Sequence, residues 1–227
     1  MKDKTIYIVS GYMRSGTSMM MKCLEAGGMK VRYHPRKDLA LNKKYARKGY
    51  QPNPGGFYEL EPRAFNDPDF TKVYSGKLIK VLHWRLAELA PFDYKIIFML
   101  RDPKEIEVSY LKMLQRRAPF VLHKYNEWVH DILTTLKNRD MDVLPIRYQD
   151  VIGDPLATFS KIKANNWPVL DIEKAAAVVN PELYRSRGKD LNQVRQTIPG
   201  LRTDLPECLK DQLEICNGLR NEYALYP

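Results

Sequence analysis

Two rhythms of apolar and polar positions alternate along this chain. Short, mostly apolar runs at residues 5–9 ("TIYIV"), 77–82 ("KLIKVL") and 94–100 ("YKIIFML") read as buried strands. The third is apolar on both faces, as a central strand of a parallel sheet should be. Residues 29–33 and 142–147 ("DVLPIR") are shorter candidates and bring the expected strands to about five.

Between these runs the period lengthens to that of helices. Residues 17–26 follow the first strand as a helix, and residues 83–90 form a short one. Asp102 and Pro103 supply the cap and first-turn residues of a helix running to about Arg116. Val121, Tyr125, Trp128, Val129, Ile132, Leu133 and Leu136 trace a single helical stripe. Asp154 and Pro155 open a helix to about Ala164, and further helical segments are expected at 172–179 and 206–223.

Residues 34–74 follow neither rhythm. They are rich in Pro, Gly and Lys, and read as a long excursion with short helical pieces, of the kind that usually carries function. The alternation of strands and helices predicts an α/β fold, a three-layer sandwich around a mainly parallel sheet. One domain is expected over residues 1–227, with 34–74 as an acceptor-side excursion and 171–227 as a helical C-terminal part. Ligands of such sheets bind outside the carboxyl ends of the strands. The segments after Val9, Leu82 and Leu100 all fall on that edge.

Charge adds a preference for anionic partners: 37 Lys and Arg stand against 27 Asp and Glu, a formal net charge of +10. Cys23, Cys208 and Cys216 have no metal-ligand spacing, and Cys208 and Cys216 are expected to face the core. No stretch approaches the roughly 18–20 apolar residues of a membrane span, and no signal-peptide pattern precedes the first strand. A cytoplasmic, reducing setting is expected.

Candidate chemistry begins at residues 11–18, "GYMRSGTS", between the first strand and its helix. Gly11 and Gly16 have the spacing of a phosphate-cradling loop, and successive backbone N–H groups at a helix N-terminus attract an anion. Arg14 adds a fixed charge, and Thr17 and Ser18 add hydroxyl donors. A nucleoside-triphosphate loop would carry Lys where Thr17 stands. A second group follows the strongest strand: in "RDPKEIEVSY" (101–110), Arg101 leaves the strand end and Ser109 sits on the next helix, so fork and hydroxyl can converge on one phosphate.

These segments resemble the sulfotransferases that use 3′-phosphoadenosine 5′-phosphosulfate. Arg14-Ser15-Gly16-Thr17-Ser18 is similar to their 5′-phosphosulfate loop, and 95–110 to their 3′-phosphate motif. "IRYQDVIGDPLATFSKI" (146–162) resembles a third segment, with Tyr148 near the nucleotide; "NPGGFYE" (53–59) and "NPELYRSRG" (180–188) resemble two more. The Lys-Thr-His segment of the small-molecule branch is absent as such, since Lys80 and His83 are separated by one extra residue, and Arg187-Gly188-Lys189 only partly replaces its Gly-rich terminal motif.

The resemblance implies a fold like that of the phosphate-loop nucleotide hydrolases, and transfer of a sulfuryl group to a hydroxyl or amine without a metal. Adenosine 3′,5′-bisphosphate would be the product, and a small molecule or saccharide the acceptor. It assigns Arg14, Ser15, Gly16, Thr17 and Ser18 to the phosphosulfate, Arg101 and Ser109 to the 3′-phosphate, and Tyr148 and Arg187 to the nucleotide. Glu59 and His83 are both candidate bases, and Lys80 either contacts the transferring group or forms a strand's polar edge. A nucleotide-kinase type phosphotransferase is the nearest alternative, with Asp102 holding Mg²⁺; the missing lysine and Pro103 after that Asp oppose it. A non-catalytic nucleotide- or nucleic-acid-binding protein is another, but no nucleic-acid module is recognisable.

Overall fold

Four of the apolar runs pair into a parallel sheet in a computed structural model that describes residues 4–47, 50–115 and 121–198. The strands are β1 (Ile6–Gly11), β2 (Leu78–Lys80), β3 (Tyr94–Leu100) and β4 (Asp142–Arg147), in the order β2-β1-β3-β4. The register sets Gly11 beside Met99 and Leu100 beside Arg147, so the carboxyl ends of three strands share one edge.

Side chains of successive strand residues point to opposite faces, and here they feed two separate cores. Tyr7, Val9, Ile97 and Met99 pack with Met20, Met21 and Leu24 of α1 (Thr17–Ala26) and with Phe159 and Ile162 of α7 (Pro155–Ala164). Ile6, Ile8, Ile96 and Phe98 pack with Ile132 and Leu136 of α5 (Val121–Asn138). Helix on both faces of the sheet gives the three layers that the alternation predicts. The remaining helices are α2 (Pro35–Tyr45), α3 (Phe70–Tyr74), α4 (Pro103–Leu114), α6 (Tyr148–Gly153), α8 (Ile172–Ala177) and α9 (Leu191–Gln196).

The expected fifth strand at 29–33 is reduced to one bridge between Val31 and Leu78. Arg32 donates to the Leu78 carbonyl, but the next donor on that side, the His34 N–H, goes to Glu59 instead (2.9 Å). Pro35 then begins α2, with the His34 ring accepting from the Lys37 N–H as its cap. The excursion is therefore more helical than its composition predicts.

Two helix boundaries also shift. The segment after β2 is a 3-10 helix over His83–Glu88, and α4 stops at Leu114 because Gln115 turns left-handed (φ 57°). The expected segment 206–223, with Cys208 and Cys216, lies outside the described residues, as does all of 171–227 beyond Ile198. Cys23 is buried in the first core, which pushes its thiol up to about 12 and makes it a packing residue. No helix among the described residues is long and apolar enough to cross a membrane.

Candidate functional site

β1 lies between β2 and β3, so the chain leaves it in one direction to β2 and reaches β3 on the other side. The loop after β1 and the residues after β3 flank the crevice that such a reversal opens. Two glycines make the loop possible. A methyl group at Gly11 (φ 142°) would stand 2.7 Å from the Met99 carbonyl oxygen, and one at Gly16 (φ 101°) would stand 2.5 Å from the Tyr148 ring. Arg14 is also left-handed, at φ 69°. Gly16 caps α1 with no side-chain bond, so the first-turn N–H groups remain available to an anion.

Three polar residues gather beyond this loop. Arg14 Nε donates to Ser109 Oγ (3.0 Å), while its Nη atoms donate to Asn53 Oδ1 and the Pro52 carbonyl. Arg101 Nη1 donates to the Arg14 carbonyl (2.9 Å), and Nη2 to that of Ser186. Asp102 caps α4 by accepting from Lys104 N–H (2.7 Å), which starts the helix that carries Ser109. The Arg101 guanidinium lies 4.1 Å from the centre of the Tyr148 ring, and its Nε donates to buried Glu105 (3.0 Å). Gln149 and Tyr184 hold the same carboxylate.

A second polar group forms on the far wall. Lys80, at the end of β2 and almost fully buried, stands 2.7 Å from Glu59 and donates to the Phe57 carbonyl. Ser18 Oγ also donates to Phe57 (3.2 Å), which ties the wall back to the loop. Asp38 of α2 sets this geometry. Its buried carboxylate accepts from the N–H groups of Phe57 (2.8 Å), Tyr58 (3.1 Å) and Glu59 (3.3 Å). It thereby holds Tyr58 in a left-handed conformation (φ 60°) that a bulky residue rarely adopts.

Both groups line one cavity of about 940 Å³. Arg14, Gly16, Thr17, Ser18, Glu59, Lys80, Arg101, Ser109 and Tyr148 are on its wall, each at a position singled out in the sequence. Three others are placed elsewhere. Ser15 is buried within the loop, and Arg187 lies over the Tyr184 ring (3.5 Å) while Arg185 and Ser186 line the cavity.

His83 sits behind the loop, stacked on Tyr12 (4.9 Å), with Leu82 and Trp84 on the wall. Burial drives its imidazole down to about 4, partly opposed by a hydrogen bond to the Gly11 backbone. Sequence reasoning passed over Asp38, Asn53 and Arg185. Asn53 lay in plain view inside "NPGGFYE", while Asp38 and Arg185 owe their places to partners far away in the chain.

Among the described residues, eight cationic side chains line the cavity, namely Arg14, Lys22, Lys37, Lys44, Lys80, Arg101, Lys112 and Arg185, against one carboxylate, Glu59. Such a chamber concentrates anions and strengthens hydrogen bonds to them.

No family model matches this sequence, and no curated protein matches it. Among solved structures, retinol dehydratase in complex with androsterone and inactive cofactor PAP is similar at a TM-score of 0.43 and 15% identity, over 100% of this chain and 83% of that one. Retinol dehydratase in a complex with retinol and PAP gives 0.43 and 14%, over 100% and 84%. The sulfotransferase domain from the Synechococcus PCC 7002 olefin synthase gives 0.44 and 14%, over 99% and 97%. At TM-scores below 0.5 these likenesses leave this chain's activity to its own residues.

Proposed function

We propose that this protein is a sulfotransferase that moves a sulfuryl group from 3′-phosphoadenosine 5′-phosphosulfate to a hydroxyl or amine of a small-molecule or saccharide acceptor. One observation carries the reading: Arg14 of the loop donates to Ser109 of α4, Arg101 after β3 donates to the Arg14 carbonyl, and all three line a single cavity. A loop that serves only one phosphate cluster has no need of a second arginine and a hydroxyl from β3 and α4. A donor with phosphates on both 3′ and 5′ oxygens does.

The residues fit such a donor. The cradle exists only because Gly11 and Gly16 lack side chains. Its amides, Thr17, Ser18 and Arg14 would hold the 5′ end, and Arg101 and Ser109 the 3′-phosphate, with Tyr148 beside the nucleotide. When bound, the donor supplies an activated sulfuryl group whose bridging oxygen departs on a phosphate.

Arg14 and the loop N–H groups stabilise negative charge at that oxygen, and fixed donors of this kind lower a barrier most where water is kept out. Glu59 takes the acceptor's proton as the new bond to sulfur forms. Lys80, 2.7 Å from Glu59, orients that carboxylate and faces the charge on the moving group. Asp102 is spent as the cap of α4 and is not on the cavity wall, which weakens the phosphotransferase alternative.

Incubation with ³⁵S-labelled donor and a panel of phenols, sugars and amines tests the proposal. Label is expected to appear on an acceptor together with one equivalent of adenosine 3′,5′-bisphosphate. Phosphoryl transfer from ATP to the same panel, with no labelled product, would overturn it.

A further inference from the structure

Sulfuryl transfer accounts for the cations at the loop end of the cavity and leaves those on α2 without a role. Helix α2 presents Lys37, Leu41, Lys44 and Tyr45 to the cavity, at spacings of four, three and one that put them along one face. Its buried contact is Asp38, so the lysines are not recruited by packing. Lys37 Nζ donates once, to the Leu60 carbonyl (2.5 Å), and an ammonium has three donors. Neither Lys37 nor Lys44 has an ion-pair partner among the described residues.

Position matters as much as charge. Lys37 shares a side recess with Glu59, Lys80, Leu82 and Trp84, so it stands next to the proposed base. Among the described residues that line it, Glu59 is the one carboxylate, and Lys80 already matches it. Lys37 is therefore a surplus positive charge beside the place where an acceptor hydroxyl must lie, with apolar surface from Leu82 and Trp84 around it. Lys44, about 10 Å further along the helix, is an exposed second charge on the same cavity.

We infer that the acceptor is itself anionic, carrying a carboxylate or a similar negative group close to the hydroxyl that is sulfated, and that Lys37, assisted by Lys44, selects it. The inference rests on the sulfotransferase reading. A neutral acceptor gains only ordinary hydrogen bonds from these lysines, and a cationic one is repelled by them. An anionic one is drawn in and held where Glu59 can reach its hydroxyl.

Matched pairs test this on the protein loaded with adenosine 3′,5′-bisphosphate. One pair is 4-hydroxyphenylacetate and its amide; the other is methyl β-glucuronide and methyl β-glucoside. Calorimetry or saturation-transfer NMR reads binding without turnover, and the pair that binds tells an aryl acid from a sugar acid. At least one acid is expected to bind about tenfold more tightly than its neutral partner, as a charge pair in a partly enclosed cavity allows.

The double substitution Lys37→Gln and Lys44→Gln is expected to close most of that gap while affinity for the bisphosphate itself holds. If neither acid binds better than its neutral partner, or the gap survives the double substitution, the inference is overturned. A protein that does not bind the bisphosphate at all contradicts the sulfotransferase reading instead, so the two failures are distinguishable.

Discussion

Arg101→Ala is expected to weaken binding of adenosine 3′,5′-bisphosphate roughly 10- to 100-fold, the loss of charge-assisted hydrogen bonds to one phosphate, while adenosine 5′-phosphate loses far less. The ratio of the two affinities is the readout, because Arg101 also has structural work. Its guanidinium stacks on Tyr148, its Nε holds buried Glu105, and its Nη1 supports the Arg14 carbonyl. Removing it leaves the Glu105 carboxylate buried without its cation, at a cost of about 3–5 kcal/mol of stability.

Adding Glu105→Gln to Arg101→Ala is expected to recover part of that stability but none of the affinity ratio. Equal losses for the two nucleotides would remove the 3′-phosphate assignment. Ser109→Ala is the gentler companion. It takes away one hydroxyl and frees Arg14 Nε, so the ratio should move in the same direction by a smaller amount.

Glu59→Gln is expected to lower the transfer rate about 10²- to 10⁴-fold, the usual worth of a positioned base, with affinity for the bisphosphate unchanged. Glutamine still offers Lys80 an oxygen, so the wall should stay in place. His83→Asn should leave the rate within a few-fold, because that ring is stacked on Tyr12 behind the loop. A large rate loss in His83→Asn with none in Glu59→Gln would reverse the assignment.

The histidine acts on stability instead. Burial lowers it from its ordinary 6.5 to about 4, so between those values the unfolded chain binds the extra proton. The stability it contributes is full above pH 6.5 and is lost as pH falls toward 4, on the order of 3 kcal/mol over that window. Urea midpoints of the wild type should fall across this range more steeply than those of His83→Asn.

The sequence was most informative where one local segment carried both structure and chemistry. Residues 11–18 announce a strand end, a glycine turn and a helix start, and the same glycines that permit the turn open the cradle. Arg101 and Ser109 were equally legible, since Asp102 and Pro103 fix where α4 begins and so where Ser109 points.

What stayed hidden depends on distant partners. Asp38 lies in a polar helix without an apolar stripe, and its role exists only through N–H groups some twenty residues later. Arg185 and Arg187 look equivalent along an irregular segment. Only packing against Tyr184 turns one away from the cavity. The missing fifth strand has the same kind of cause, a His34 N–H claimed by Glu59 across the excursion.

Which nucleotide the cavity binds decides between sulfuryl and phosphoryl transfer. Calorimetric titration of the protein with adenosine 3′,5′-bisphosphate, and separately with ATP in the presence of Mg²⁺, puts that question directly. The bisphosphate is expected to bind more tightly, by about tenfold or more given two phosphate sites against one. Tighter binding of ATP with Mg²⁺ would contradict the account.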